Sequence, residues 1–114
     1  MAQELDYQDV ARMLRQGALL LKANRDLCLN ALRGLPGVTV PTPDGAFYLF
    51  PRVDGMTDSF AFCRKLLEET RVGLAPGVAF GAGGEGSFRI CYAAERSILE
   101  PAMERLTAYL RSKF

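Results

Sequence analysis

Arg89 is the side chain in this 114-residue sequence with the clearest chemical demand. In Phe88-Arg89-Ile90-Cys91-Tyr92-Ala93, alternation along a strand puts Phe88, Ile90 and Tyr92 on one face and Arg89, Cys91 and Ala93 on the other. A guanidinium whose neighbours on its own face are cysteine and alanine cannot shed its charge. Burying it unpaired costs several kcal/mol, so an anion must meet it. A carboxylate suits the planar fork, because it accepts two parallel hydrogen bonds. Two sources are open: an acid of the same chain, whether Glu85, Glu95 or an acidic helix residue, or the carboxylate of a ligand.

The other candidates offer less. Gly81-Ala82-Gly83-Gly84-Glu85-Gly86 has the composition of a phosphate loop but lacks the Gly-Lys-Ser/Thr ending, and it leads into a strand instead of a helix N-terminus. A turn whose glycines allow positive φ, or admit another chain segment closely, accounts for it. Glu68-Glu69 ends a charged helix, and Asp54 and Asp58 lie in a loop, all solvated settings. Lys22 and Lys65 have charged neighbours in helical stretches and Lys113 is nearly terminal, so none is desolvated enough to act as a nucleophile. Histidine is absent, which removes the commonest general base, the commonest zinc ligand and every Ser-His or Cys-His pair. Cys28, Cys63 and Cys91 are odd in number and widely spaced, and read as reduced, buried small hydrophobes. Neither a metal site nor catalysis by this chain alone is expected.

These residues must be held by short elements. Apolar residues at Val10, Met13, Leu14, Leu20, Leu21, Leu27, Cys28, Ala31 and Leu32 predict a long first helix over 10–32, with a bend or break near Gly17, and Leu35-Pro36-Gly37 stops it. Val38-Thr39-Val40 and Ala46-Phe47-Tyr48-Leu49-Phe50 read as antiparallel neighbours across a turn-rich segment, followed by a loop over 51–57. Thr57 or Asp58 caps a second helix with Phe60, Cys63, Leu66 and Leu67 inward, ending near Thr70. Short strands are expected at 72–75 and 88–93, with Pro76-Gly77 turning the first into Val78-Ala79-Phe80 before the glycine-rich loop. A last helix follows, capped by Ser97, with Pro101 in its first turn. The fold class is α+β, α/β-like: a small mixed or antiparallel sheet of about three to four strands with helices packed mainly on one face.

Composition sets the outer bounds. With 14 basic and 13 acidic residues the net charge is +1, so the basic surplus that nucleic-acid binding needs is missing. At 49% hydrophobic and 24% charged, the chain is globular in composition, and its length suits one domain over 1–114. The polar, acidic N-terminus is unlike a signal peptide and no run suits a membrane span, so a cytoplasmic location without a membrane partner is expected.

Four segments taken together resemble the C-terminal small domain of class I and II aminotransferases, the fold-type I pyridoxal-phosphate enzymes of the aspartate aminotransferase superfamily. They are Arg25-Asp26 with Leu35-Pro36-Gly37; Pro43-Asp44-Gly45-Ala46-Phe47-Tyr48-Leu49-Phe50-Pro51; Val72-Gly73-Leu74-Ala75-Pro76-Gly77-Val78-Ala79-Phe80-Gly81; and Gly86-Ser87-Phe88-Arg89-Ile90-Cys91-Tyr92-Ala93. The resemblance implies that Arg89 binds the α-carboxylate of an amino-acid or 2-oxo-acid substrate. It implies that Gly45 and Phe47 approach that substrate, and that Pro76-Gly77 and Phe80-Gly81 shape a neighbouring turn. It also implies that pyridoxal 5'-phosphate serves a parent enzyme, held by a large domain that carries the cofactor-linked lysine and that this chain lacks. The chain alone, an excised domain or a truncated gene product, is then expected to bind no cofactor and to be inactive. The resemblance further implies a parent that transfers amino groups between an amino acid and a 2-oxo acid, with a homodimer among the assemblies open to it. A related lyase on the same scaffold, and a stand-alone carboxylate-binding or interaction module, are the alternatives. Leu19-Leu20-Leu21 is more apolar than a solvent-facing helix requires.

Overall fold

The structure, a computed structural model, describes residues 7–42 and 47–113. Helix α1, Tyr7–Arg33, runs without the expected break. Nothing lies within 4 Å of a Cβ built on Gly17, so that residue costs only its backbone freedom, about 1 kcal/mol, and the helix passes through it. In the C-terminal half of α1, Asn24, Cys28, Leu29 and Leu32 are buried. In the N-terminal half, Leu14, Leu19 and Leu20 are 70, 67 and 66% exposed. A 27-residue helix is about 40 Å long, and the molecule measures 53 × 28 × 27 Å, so the front of α1 stands clear of the core.

Strand pairing departs from expectation. Strand β1, Val38–Thr39, pairs antiparallel with β3, Arg52–Val53, and not with β2, Tyr48–Leu49. The Asp54 N–H donates to the Gly37 carbonyl at 2.8 Å and extends that pairing into the segment expected to be a loop. Pro41 and Pro43 have no N–H, so the chain between β1 and β2 is poorly suited to a ladder. Instead β2 joins β5, Phe88–Cys91, which sits between β2 and β4, Ala75–Pro76, in an all-antiparallel three-stranded sheet. A bridge between Arg52 and Ser87 connects the two small sheets. The class is α+β, as expected, and among the described residues the strands form a three-stranded and a two-stranded antiparallel sheet.

Helix α2, Ser59–Thr70, starts at Asp58, whose carboxylate accepts the Ala61 N–H at 3.0 Å. Its inward aromatic is Phe62, 8% exposed, while Phe60 is 59% exposed. Phe62 shares a face with Leu66 one turn on, and it stacks on Phe88 and meets Tyr109 edge-on. The apolar stretch at 78–80 lies in a 3-10 turn, Gly77–Phe80, followed by a second, Ala82–Gly84. Helix α3, Arg96–Lys113, begins where the Glu95 carbonyl accepts the N–H groups of Ile98 and Leu99. This start precedes Ser97 and leaves Pro101 in the second turn instead of the first.

All three helices contribute to one buried cluster with β5, which holds Phe88 and Ile90 of β5, the adjoining Tyr92, Cys28 and Leu32 of α1, Leu66 of α2 and Leu106 of α3. Cys28 and Cys63 are buried as expected; Cys91 is exposed, because it follows Arg89 onto the open face of β5. Among the described residues no helix is long and apolar enough to cross a membrane.

Candidate functional site

The alternation read from the sequence holds in β5: Phe88 and Ile90 are buried, Arg89 is half-buried and Cys91 is exposed. Arg89 thus stands on the central strand of its sheet, opposite Ala75 of β4, on the face away from the core.

The anion expected beside Arg89 is not an acid among the described residues. Among the described residues, no carboxylate pairs with the guanidinium and no acceptor takes a hydrogen bond from it. The carboxylate of Glu85 is engaged elsewhere, accepting the backbone N–H groups of Ser59 and Gly86. Glu95 is exposed at the start of α3.

Two aromatic rings hold Arg89 instead. Its Cζ lies 4.2 Å from the centroid of Tyr48 and 4.5 Å from that of Phe80. Tyr48 comes from β2 and Phe80 from the turn after β4, so the rings flank the arginine from the two neighbours of its strand. Phe50, one residue past β2, meets Phe80 edge-on at 5.6 Å and 86°. Each such ring stabilises the cation by roughly 0.5–2 kcal/mol, depending on how far water is excluded. The rings leave the charge in place and the N–H groups without acceptors, as a receptor for an external carboxylate requires.

Phe80 owes its position to the turn that carries it. Gly77 donates its N–H to the Ser87 carbonyl at 2.8 Å, and Val78 donates to the buried Ser59 hydroxyl at 3.1 Å. Across the loop, Gly77 and Gly84 lie backbone against backbone: a Cβ on either would collide with the carbonyl oxygen of the other. The glycines of 81–86 therefore serve close approach and left-handed φ, at +117° for Gly81 and +90° for Gly86.

Of the other residues singled out in the sequence, Gly45 lies outside the described residues. Phe47 does not join Arg89. Its carbonyl accepts the Tyr92 N–H at 3.0 Å, and its ring lines a groove of about 290 Å³ with Leu21, Lys22 and Arg25, on the α1 side. The neighbour that reaches Arg89 is Tyr48, which pairs in register with Cys91 and so shares the face of Arg89. That register was the missing signal for Tyr48. For Phe80, Ser59 and Glu85 the sequence held none, since a 3-10 turn anchored on a helix start has no periodic pattern.

Neither the lysines nor the glycine-rich loop of the described chain is arranged to hold pyridoxal phosphate. Lys22, Lys65 and Lys113 are exposed on three different helices. The N–H groups of Gly84, Glu85 and Ser87 in the glycine-rich loop donate to carbonyls of the same loop. Among the described residues no three acidic, cysteine or histidine groups cluster as metal ligands.

Residues 2–106 match the family described as aminotransferase class I and II. The aspartate aminotransferase of Pyrococcus horikoshii is 41% identical over 90 residues, which are 78% of this chain and 23% of that protein. Aromatic-amino-acid aminotransferase 2 of Thermococcus litoralis is 39% identical over 113 residues, 96% of this chain and 27% of its own length. The crystal structure of the aromatic aminotransferase from Pyrococcus horikoshii superimposes with a TM-score of 0.84 at 35% identity, over 95% of this chain and 28% of that one. The chain thus spans about a quarter of the length of these relatives.

Proposed function

Because this chain belongs to the class I and II aminotransferase family, we propose that it supplies the substrate-carboxylate site of an enzyme that moves an amino group between an amino acid and a 2-oxo acid. Arg89 is the anchor. The observation that carries this reading is a permanent cation held between two rings with no acid among the described residues to neutralise it. Gripping a carboxylate by both guanidinium N–H edges fixes the substrate while bonds change at its α-carbon, which is a positioning role. Closing this domain over the substrate then excludes water from the reacting centre.

Pyridoxal phosphate, which the family implies, is held in this proposal by residues outside these 114, in a large domain on whose C-terminal side this unit sits. Gly45 and Phe47 are carried as further substrate contacts on the resemblance of their segment. By itself the chain is then inactive.

The test needs no enzyme. In the 15N-labelled chain, propionate should shift the Arg89 Nε–Hε signal saturably, and propionamide, which lacks the charge, should not. Arg89→Lys should weaken propionate binding about tenfold, because an ammonium cannot make the bidentate contact. An Arg89 signal indifferent to propionate would sink the proposal.

A further inference from the structure

The geometry points to Ser59 and Glu85 as positioning residues for Arg89: together they latch the 77–87 loop onto the start of α2 and thereby set Phe80 against the guanidinium. Neither touches Arg89 or any ligand it would bind. The inference rests on reading Arg89 as the carboxylate anchor and deepens it by naming what controls its geometry.

The chain of contacts is continuous. Ser59 opens α2 and is fully buried, yet its side chain and its backbone both face the loop. Its hydroxyl accepts the Val78 N–H at 3.1 Å, two residues before Phe80. Its own N–H is taken by Glu85 Oε1, an oxygen that also accepts the Gly86 N–H at 3.4 Å. One side chain of α2 thus holds the outgoing limb of the loop, and one side chain of the incoming limb holds α2. Phe80 is at the apex, half-exposed, and among the described residues its ring and cation partners are Phe50 and Arg89. An aromatic ring in that setting has little packing of its own, so the loop backbone decides where it rests.

The consequence for binding is pre-organisation. A guanidinium held between Tyr48 and Phe80 presents its fork in one orientation, whereas one flanked by Tyr48 alone samples several and binds a carboxylate less tightly. The hydrogen bonds of Ser59 and Glu85 run to the loop and the start of α2, not to Arg89, so their loss lowers affinity without removing a carboxylate contact.

Ring-current shifts read this directly in the full 114-residue chain. Phe80→Leu should move the Arg89 Nε–Hε proton downfield by removing one ring. Ser59→Ala and Glu85→Ala should each move it in the same direction by a smaller step, and weaken propionate binding about threefold through lost pre-organisation. Glu85→Gln should restore the wild-type position, since the amide oxygen still accepts the Ser59 N–H. Should Ser59→Ala fail to fold, the Glu85→Ala and Glu85→Gln pair decides. An unmoved Arg89 signal in Glu85→Ala, with only the urea midpoint lowered, would overturn the assignment and leave both residues as structural supports. A wild-type signal that ignores propionate would instead refute the carboxylate reading, while the ring shifts still judge the latch.

Discussion

Arg89 and the two buried thiols show how surroundings act on a polar side chain in opposite ways. Rings of Tyr48 and Phe80 stabilise the guanidinium in its charged form. Burial of Cys28 and Cys63 penalises their charged form and pushes both thiols from 9.0 up to about 11, although Arg96 draws Cys28 slightly back. The sign of the pH effect follows. In the unfolded chain these thiols ionise near pH 9, while in the folded chain they hold their protons to about pH 11, so their contribution to stability is complete below pH 9 and is lost as pH rises toward about 11. Urea midpoints should stay level up to about pH 9 and then fall, and the fall should be shallower in Cys63→Ala than in the parent. Equal slopes in the two proteins would contradict the burial argument.

Among the elements, α1 and β5 are joined by a polar contact inside an apolar cluster. Asn24 is buried and its Nδ2 donates to the carbonyls of Tyr92 at 3.1 Å and Ala94 at 2.8 Å, just past the strand that bears Arg89. Asn24→Ala leaves both carbonyls without that donor and should cost about 1–3 kcal/mol in a urea titration, with the helical circular dichroism retained. Periodicity in the sequence was enough to locate the three helices, because each presents an apolar stripe, and alternation was enough to sort the faces of β5. The strand pairing was not legible. Strands of two residues, such as Tyr48–Leu49 and Ala75–Pro76, carry no pattern of their own, and partners far apart in sequence chose them. The same limit applies around Arg89: the face it occupies is legible from its own strand, whereas the rings beside it depend on register and on a turn, and that Phe62 rather than Phe60 turns inward is not legible, because apolarity alone cannot fix a helix's rotation.

Considered whole, the molecule is a compact half with an overhanging helix. Its Cα radius of gyration is 16.4 Å, whereas a compact chain of this length would have about 13 Å. The lysines are spread over this elongated surface, one to each helix. Incubation with pyridoxal phosphate followed by borohydride should therefore label Lys22, Lys65 and Lys113 in comparable, substoichiometric amounts by peptide mapping. One stoichiometric adduct at one lysine would show a cofactor site that the described residues do not suggest. The overhang has a mechanical side as well. Because α1 is unbroken through Gly17 and pinned at Asn24, Cys28 and Leu32, it behaves as a lever whose fulcrum lies beside the Arg89 strand. At 1.5 Å per residue, a tilt of about 5° at that fulcrum swings the tip of the free arm by about 2 Å. A force applied at that tip therefore acts on α1 with a long moment arm about Asn24.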